Sequence, residues 1–163
     1  MKDNLSEVIL ILDKSSSMLG TRDDTLRGVN TFIEEQKALP GEANFTLVTF
    51  GTHGENTKLY KGKNIKKVKS VTKEDYKPNG NTALYDAIAL TIDEMGANLA
   101  KLEEKNRPAN VIITIMTDGH ENDSRQFSLT QVQEKIKHQS EVYNWKFIFL
   151  GASLDAVEIG KSL

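Results

Sequence analysis

The sequence predicts an α/β fold: a doubly wound, mostly parallel sheet with one short antiparallel edge strand and helices on both faces. Three observations carry this reading. Short, largely apolar runs at residues 8–12, 45–50, 111–116 and 147–150 read as strands, and the first, continuous, has the composition of a strand covered on both sides. Between them apolar residues recur on steps of three and four, the period of a helix with one buried face. Strands that alternate with helices need crossover connections, and right-handed crossovers lay helices on both faces of a parallel sheet.

The elements follow in order. The run 8–12 is a buried strand that ends on Asp13 and hands over to Ser15, Ser16 and Ser17. From Asp24 onward Leu26, Val29 and Ile33 mark a helix, which Pro40 and Gly41 bring to an end. Residues 45–50 form the second strand. Residues 57–60 form a shorter one, with Lys58 and Lys61 placed as edge protection, close enough to its predecessor for an antiparallel hairpin. The lysine-dense stretch 58–77 is expected to be the longest irregular segment. Leu84, Ile88, Thr91, Met95, Leu99 and Leu102 then mark a long helix, and 111–116 is the purest strand signal in the chain. Ser128 and Gln131 have the pattern of a capping box, opening a helix expected to bury Leu129, Val132, Ile136 and Tyr143. Residues 147–150 form the last strand, and another helix is expected to begin over 153–159. Residues 1–163 read as one domain without repeats or linkers. The sequence stops where a sixth strand would be expected, so either the fold is a shortened version or a final strand and helix are missing.

Composition narrows the function classes. With 38% apolar and 27% charged residues in 163, the chain has the balance of a soluble globular domain large enough for a core. A formal net charge of −2 gives no global attraction to nucleic acid. The absence of cysteine excludes disulfides, thiolate zinc sites and a cysteine nucleophile. The N-terminal stretch MKDNLSE is polar, and the apolar run after it is too short for a signal or membrane segment. A cytoplasmic protein, with no membrane association, is the expectation.

Ligands of doubly wound sheets bind beyond the carboxyl ends of the strands, where strand order reverses. Asp13, Ser15 and Ser17 follow the first strand, Thr117 and Asp118 follow the run 111–116, and Thr82 lies in PNGNTALYDA just before the long helix. The carboxylates of Asp13 and Asp118 and the hydroxyls of Ser15, Ser17 and Thr82 thus reach one edge from separate segments. Oxygen-only donors suit hard cations, and Mg²⁺ in particular uses few carboxylates and keeps open positions. A cation so short of charge favours an incoming carboxylate from another molecule.

The stretch DKSSSM resembles the D-x-S-x-S signature of von Willebrand factor type A domains. Thr82 in NGNTALYDAI and Asp118 in MTDG match that family's two other elements in the same order, and GVNTFIEEQK is similar to intracellular bacterial and phage members. The resemblance covers essentially the whole chain. It implies a metal-ion-dependent adhesion site in which Ser15, Ser17 and Thr82 ligate through hydroxyls, and Asp13 and Asp118 ligate directly or through water. The implied ion is Mg²⁺, with Mn²⁺ or Ca²⁺ as substitutes, and the implied partner is a protein that supplies a Glu or Asp. Ser16 and Asn81 stand where the family commonly has glycine; both are small and polar, and asparagine tolerates unusual backbone angles.

Other features read as structural. Asp86 falls in the first turn of the long helix, where the helix dipole favours an acid. DGHENDS at 118–124 lacks the acid that would close a calcium loop, so Glu121 and Asp123 read as rim residues. His53, His120 and His138 show no metal-ligand spacing; His53 and His120 are expected in solvent, where they and Asn122 would tune partner choice. The lysine run reads as a solvated face. Among catalytic alternatives, a metal-dependent phosphohydrolase also uses an acid after the first strand. That chemistry needs a second Asp two residues on for proton transfer, and Ser15 occupies the position. GASLD at 151–155 lacks the second glycine of a nucleophile elbow. The sequence therefore reads as a non-enzymatic, Mg²⁺-dependent protein-binding module.

Overall fold

The computed structural model describes residues 1–118, 120–150 and 159. Five strands form one sheet: β1 (Lys2–Asp13), β2 (Glu42–Phe50), β3 (Asn56–Asn64), β4 (Pro108–Met116) and β5 (Lys146–Leu150), in the order β3-β2-β1-β4-β5. β1 runs parallel to β2 and β4, and β4 parallel to β5; only β3 is antiparallel, against β2. Three longer helices pack on the sheet: α1 (Arg22–Ala38), α2 (Leu84–Ala100) and α3 (Leu129–Tyr143).

The pleat of β1 divides the core in two. Val8, Leu10 and Leu12 meet Leu26, Val29 and Ile33 of α1, whereas Ile9 and Ile11 meet Leu84 and Ile88 of α2 and Val132 and Ile136 of α3. The chain leaves β1 through α1 to β2 on one side and returns through α2 to β4 on the other. The strand order therefore reverses between β1 and β4. Leu12 lies opposite Met116 in that pair, so Asp13 and Thr117 emerge side by side at the reversal.

Several elements differ from expectation. β3 spans nine residues, and its pairing with β2 shifts register twice. The irregular segment therefore begins only after β3 and the 3₁₀ turn at Ile65–Lys67. That segment is not simply a solvated face, because Ile65, Val68, Val71 and Tyr76 are buried over the α1 side of the sheet while the lysines between them stay outside. The capping box of α3 forms as expected, with the Gln131 N–H donating to Ser128 Oγ at 3.3 Å and the Ser128 N–H to Gln131 Oε1 at 2.8 Å. Tyr143 departs from the helical pattern: it is 61% exposed, because it is the last residue of α3 and the chain turns away at Asn144 in a left-handed conformation. The helix expected over 153–159 lies outside the described residues except for Ile159, which is helical and buried among the α2–α3 core residues. Among the described residues no helix is long and apolar enough to cross a membrane.

Glu7 is a buried acid in the interior of β1. Burial pushes the Glu7 carboxyl above its ordinary value, partly offset by the Asn44 side-chain amide donating to it at 2.8 Å. A carboxyl whose folded pKa lies above its unfolded value costs stability at neutral pH, and the cost disappears as pH falls through the folded pKa. Glu7→Gln, which keeps the acceptor for Asn44, is expected to raise the urea midpoint at pH 7. The gain over wild type should vanish on acidification below the Glu7 pKa; an unchanged midpoint at pH 7 would contradict this.

Candidate metal centre

Asp13 closes β1 with a carboxylate that is fully buried. Its Oδ1 accepts the Ser15 N–H at 2.7 Å and its Oδ2 accepts the Thr117 hydroxyl at 2.6 Å, so loops from β1 and β4 are joined through this side chain. Thr117, which the sequence places in the motif only as a neighbour of Asp118, is thus the direct support of Asp13. From below, the buried Tyr76 hydroxyl donates to the Asp13 carbonyl at 2.5 Å. Burial, then the negative charges of Asp13 and Asp118, push the Tyr76 phenol far above its ordinary value and keep it a donor. Asp118 itself is exposed.

Ser15 is buried, Ser17 is exposed, and their hydroxyl oxygens lie 3.0 Å apart. The third segment is fastened to this loop by its backbone: the Asn79 N–H donates to Lys14 O at 2.8 Å and the Ser16 N–H to Gly80 O at 3.0 Å. Gly80 has a φ of +79°, and a Cβ there would stand 2.4 Å from Thr52 Oγ1, so this position requires glycine on two counts. Thr82 follows, buried, with its N–H donating to Asn122 Oδ1 at 2.8 Å and its carbonyl accepting the N–H groups of Asn122 and Asp123. Its hydroxyl enters no hydrogen bond among the described residues.

The loop after β4 is held by residues expected to play lesser parts. α2 begins after Ala83, which has no capping side chain. Its first N–H groups are satisfied from outside, Tyr85 donating to Glu121 Oε1 at 3.1 Å and Asp86 to Ser124 Oγ at 3.0 Å. Asp86 in turn is buried and accepts three consecutive backbone N–H groups: Arg125 at 2.8 Å, Gln126 at 3.0 Å and Phe127 at 2.9 Å. Glu121 also accepts the N–H groups of Asp123 and Ser124. Glu121 and Asp123 are therefore braces rather than rim groups. His53 is not free in solvent either: its Nδ1 lies 3.3 Å from Asp86 Oδ2, and its N–H donates to Asp123 Oδ2 at 2.7 Å, which holds that carboxyl below its ordinary range. His120 is exposed, as expected.

Five oxygen-donor side chains thus sit on three mutually fastened loops at the reversal of strand order. Among the described residues no three His, Cys, Asp or Glu side chains cluster to hold a metal by themselves. The hydroxyls are what make the donor set fit a hard cation. Two oxygens bound at right angles, each about 2.1 Å from Mg²⁺, lie about 3 Å apart. The Ser15 and Ser17 hydroxyls have that separation. Both Asp13 oxygens already accept one protein hydrogen bond, leaving further lone pairs for an ion or its water.

A mostly parallel sheet with helices on both faces and a reversal of strand order between β1 and β4 belongs to the doubly wound α/β class. Residues 7–155 match the model of the von Willebrand factor type A domain, and the chain belongs to that family. Among curated proteins none matches it. Solved structures of similar fold include proximal thread matrix protein 1 from the mussel byssus, 16% identical with a TM-score of 0.58. Another is manganese-loaded TRAP protein of Plasmodium vivax, 17% identical with a TM-score of 0.59. The match covers 98% of this chain and 40% of the byssus protein, and 93% of this chain and 58% of the TRAP chain. This chain therefore spans less than two thirds of either.

Proposed function

We propose that the protein is a non-enzymatic, divalent-metal-dependent protein-binding module, in which Asp13, Ser15, Ser17, Thr82 and Asp118 hold one Mg²⁺ and a partner's Glu or Asp completes its shell. The observation that carries this is the convergence of the buried Asp13 carboxylate with two hydroxyls 3.0 Å apart at the switch point. The manganese-loaded state of the TRAP structure supports a divalent ion in this fold. When bound, the ion supplies an electrophilic centre that prefers anionic oxygen. The chain's part is to keep that centre undercharged: hydroxyls contribute donors without charge, and the carboxylates are limited to Asp13 and Asp118. Asn122, tied to Thr82, and His120 border the site and would select among acidic partners.

Two features support a role without bond chemistry. Ser15 stands where a phosphohydrolase needs a proton-transferring acid, and His53 is engaged with Asp86 rather than with a serine. In this reading the similarity of GVNTFIEEQK to intracellular bacterial and phage members supports a cytoplasmic module, with residues 1–163 acting as one domain. An affinity pull-down with Mg²⁺ and with EDTA, using wild type and Asp13→Ala, tests it. Partners are expected to be retained only by wild type in Mg²⁺. Metal-dependent turnover of generic phosphate or ester substrates, lost in Asp13→Asn, would overturn it.

A further inference from the structure

At the end of the sheet opposite the candidate metal centre lies a cavity of about 410 Å³, between α2, α3 and the start of β4. Its volume is that of a small-molecule site. The cavity has a clear cause in the sequence. α2 lines it with the small residues Gly96, Ala97 and Ala100 beside Ile92, Asp93 and Leu99, and Tyr143, which the helical period would send inward, is 61% exposed. The helices therefore leave space over the buried Trp145.

Three chemical features mark this space. Trp145 gives it an aromatic wall. The Gln139 side-chain oxygen is buried at its edge without a hydrogen-bond partner, an acceptor that lacks a donor. The charges of the lining do not cancel. Asp93 is neutralised by Lys135 at 2.7 Å, but Arg107 has no ion-pair partner among the described residues. The Arg107 Nε donates to Leu102 O at 3.0 Å and its Nη2 to Ala100 O at 3.4 Å, which fixes the guanidinium at the wall with N–H groups to spare. A planar guanidinium with free donors suits a carboxylate.

We propose that this cavity binds a small aromatic carboxylic acid. The ring occupies the space between the small residues of α2 and Trp145, the carboxylate meets Arg107, and a ring O–H or N–H satisfies Gln139. This site is separate from the metal centre and does not depend on it. Trp145 is the only tryptophan of the chain, so its emission reports occupancy directly.

Titration with phenylacetate, 4-hydroxyphenylacetate and benzylamine is the test. Saturable changes in Trp145 emission are expected for the two acids, severalfold tighter for the hydroxylated one, with no saturable change for benzylamine. Arg107→Gln is expected to weaken both acids about tenfold, the scale of one charge-assisted contact. Ala100→Leu should abolish binding by filling the space. If circular dichroism shows that this variant is not folded, Gly96→Ala replaces it. A Cβ at Gly96 meets only Gln139 Nε2, at 3.7 Å, and narrows the cavity without strain. A response that fails to saturate, an equal response to benzylamine, or unchanged affinity in Arg107→Gln would overturn the proposal.

Discussion

Asp13→Asn is expected to abolish the calorimetric signal of Mg²⁺ and Mn²⁺ binding while leaving far-ultraviolet circular dichroism unchanged. Asparagine keeps the shape of the buried side chain but removes its charge. It also sets an N–H₂ against one of two donors, the Ser15 N–H and the Thr117 hydroxyl, since its single oxygen cannot serve both. One buried donor left unmatched costs about 1–3 kcal/mol, so the urea midpoint should fall without loss of cooperativity. Asp118→Ala makes the contrast. Asp118 is exposed, so its removal should weaken cation binding while stability stays within about 0.5 kcal/mol or rises slightly in the metal-free protein. Asp118→Ala also removes one of the two negative charges that act on Tyr76, the other being Asp13. Cation binding that survives both Asp13→Asn and Ser15→Ala would remove the site from the positions assigned to it. Loss of cooperative unfolding in Asp118→Ala would show that the residue supports the fold rather than a ligand.

What the sequence discloses and what it hides follow from the range of the interactions. The alternation of Val8, Leu10 and Leu12 against Ile9 and Ile11 is local, and a run apolar on both phases has to be covered on both faces; the two cores on either side of β1 are the result. The capping box of α3 is local too, three residues apart. The five candidate ligands are legible because the chemistry of a hard cation restricts donor type, and strand ends restrict position. The length of β3 is not legible. Its alternating lysines and asparagine ends have weak strand propensity, and only pairing with the apolar β2 holds them extended. Tyr143 keeps the period of α3, but whether a residue at the end of a helix faces the core depends on where the next segment turns. Thr117, Tyr76 and Glu121 support the site through contacts 36 to 104 residues apart in sequence, for which no local pattern exists. An acid in the first turn of a helix satisfies a simple electrostatic rule, and that rule gave Asp86 an adequate explanation before its three backbone donors were visible.

Asp86 therefore carries the larger stability prediction. Asp86→Ala is expected to destabilise the protein by about 3 kcal/mol or more, because hydrogen bonds from three backbone N–H groups to a buried charge are lost together. The favourable placement of an acid at the start of α2 is lost as well. Part of the cost is recovered where water reaches residues 125 and 126, which are exposed, so the effect stays below three full hydrogen-bond penalties. Asp86→Asn should fall between the two. One amide oxygen can still accept from Gln126 and Phe127 at the Oδ1 position, whereas its N–H₂ would face the Arg125 N–H. The damage should be local before it is global. Amide hydrogen exchange at residues 125–127 is expected to accelerate most, followed by Asn122 and Asp123, whose N–H groups donate to Thr82. Cation affinity should then fall even though Asp86 touches none of the five candidate ligands, because the loop after β4 also fixes the backbone of Thr82 through Asn122. The measurements are urea unfolding and residue-resolved exchange on the three proteins. Stability of Asp86→Ala within about 0.5 kcal/mol of wild type, the scale of an ordinary surface change, would mean that water replaces the carboxylate and that the loop after β4 is held by Glu121 alone.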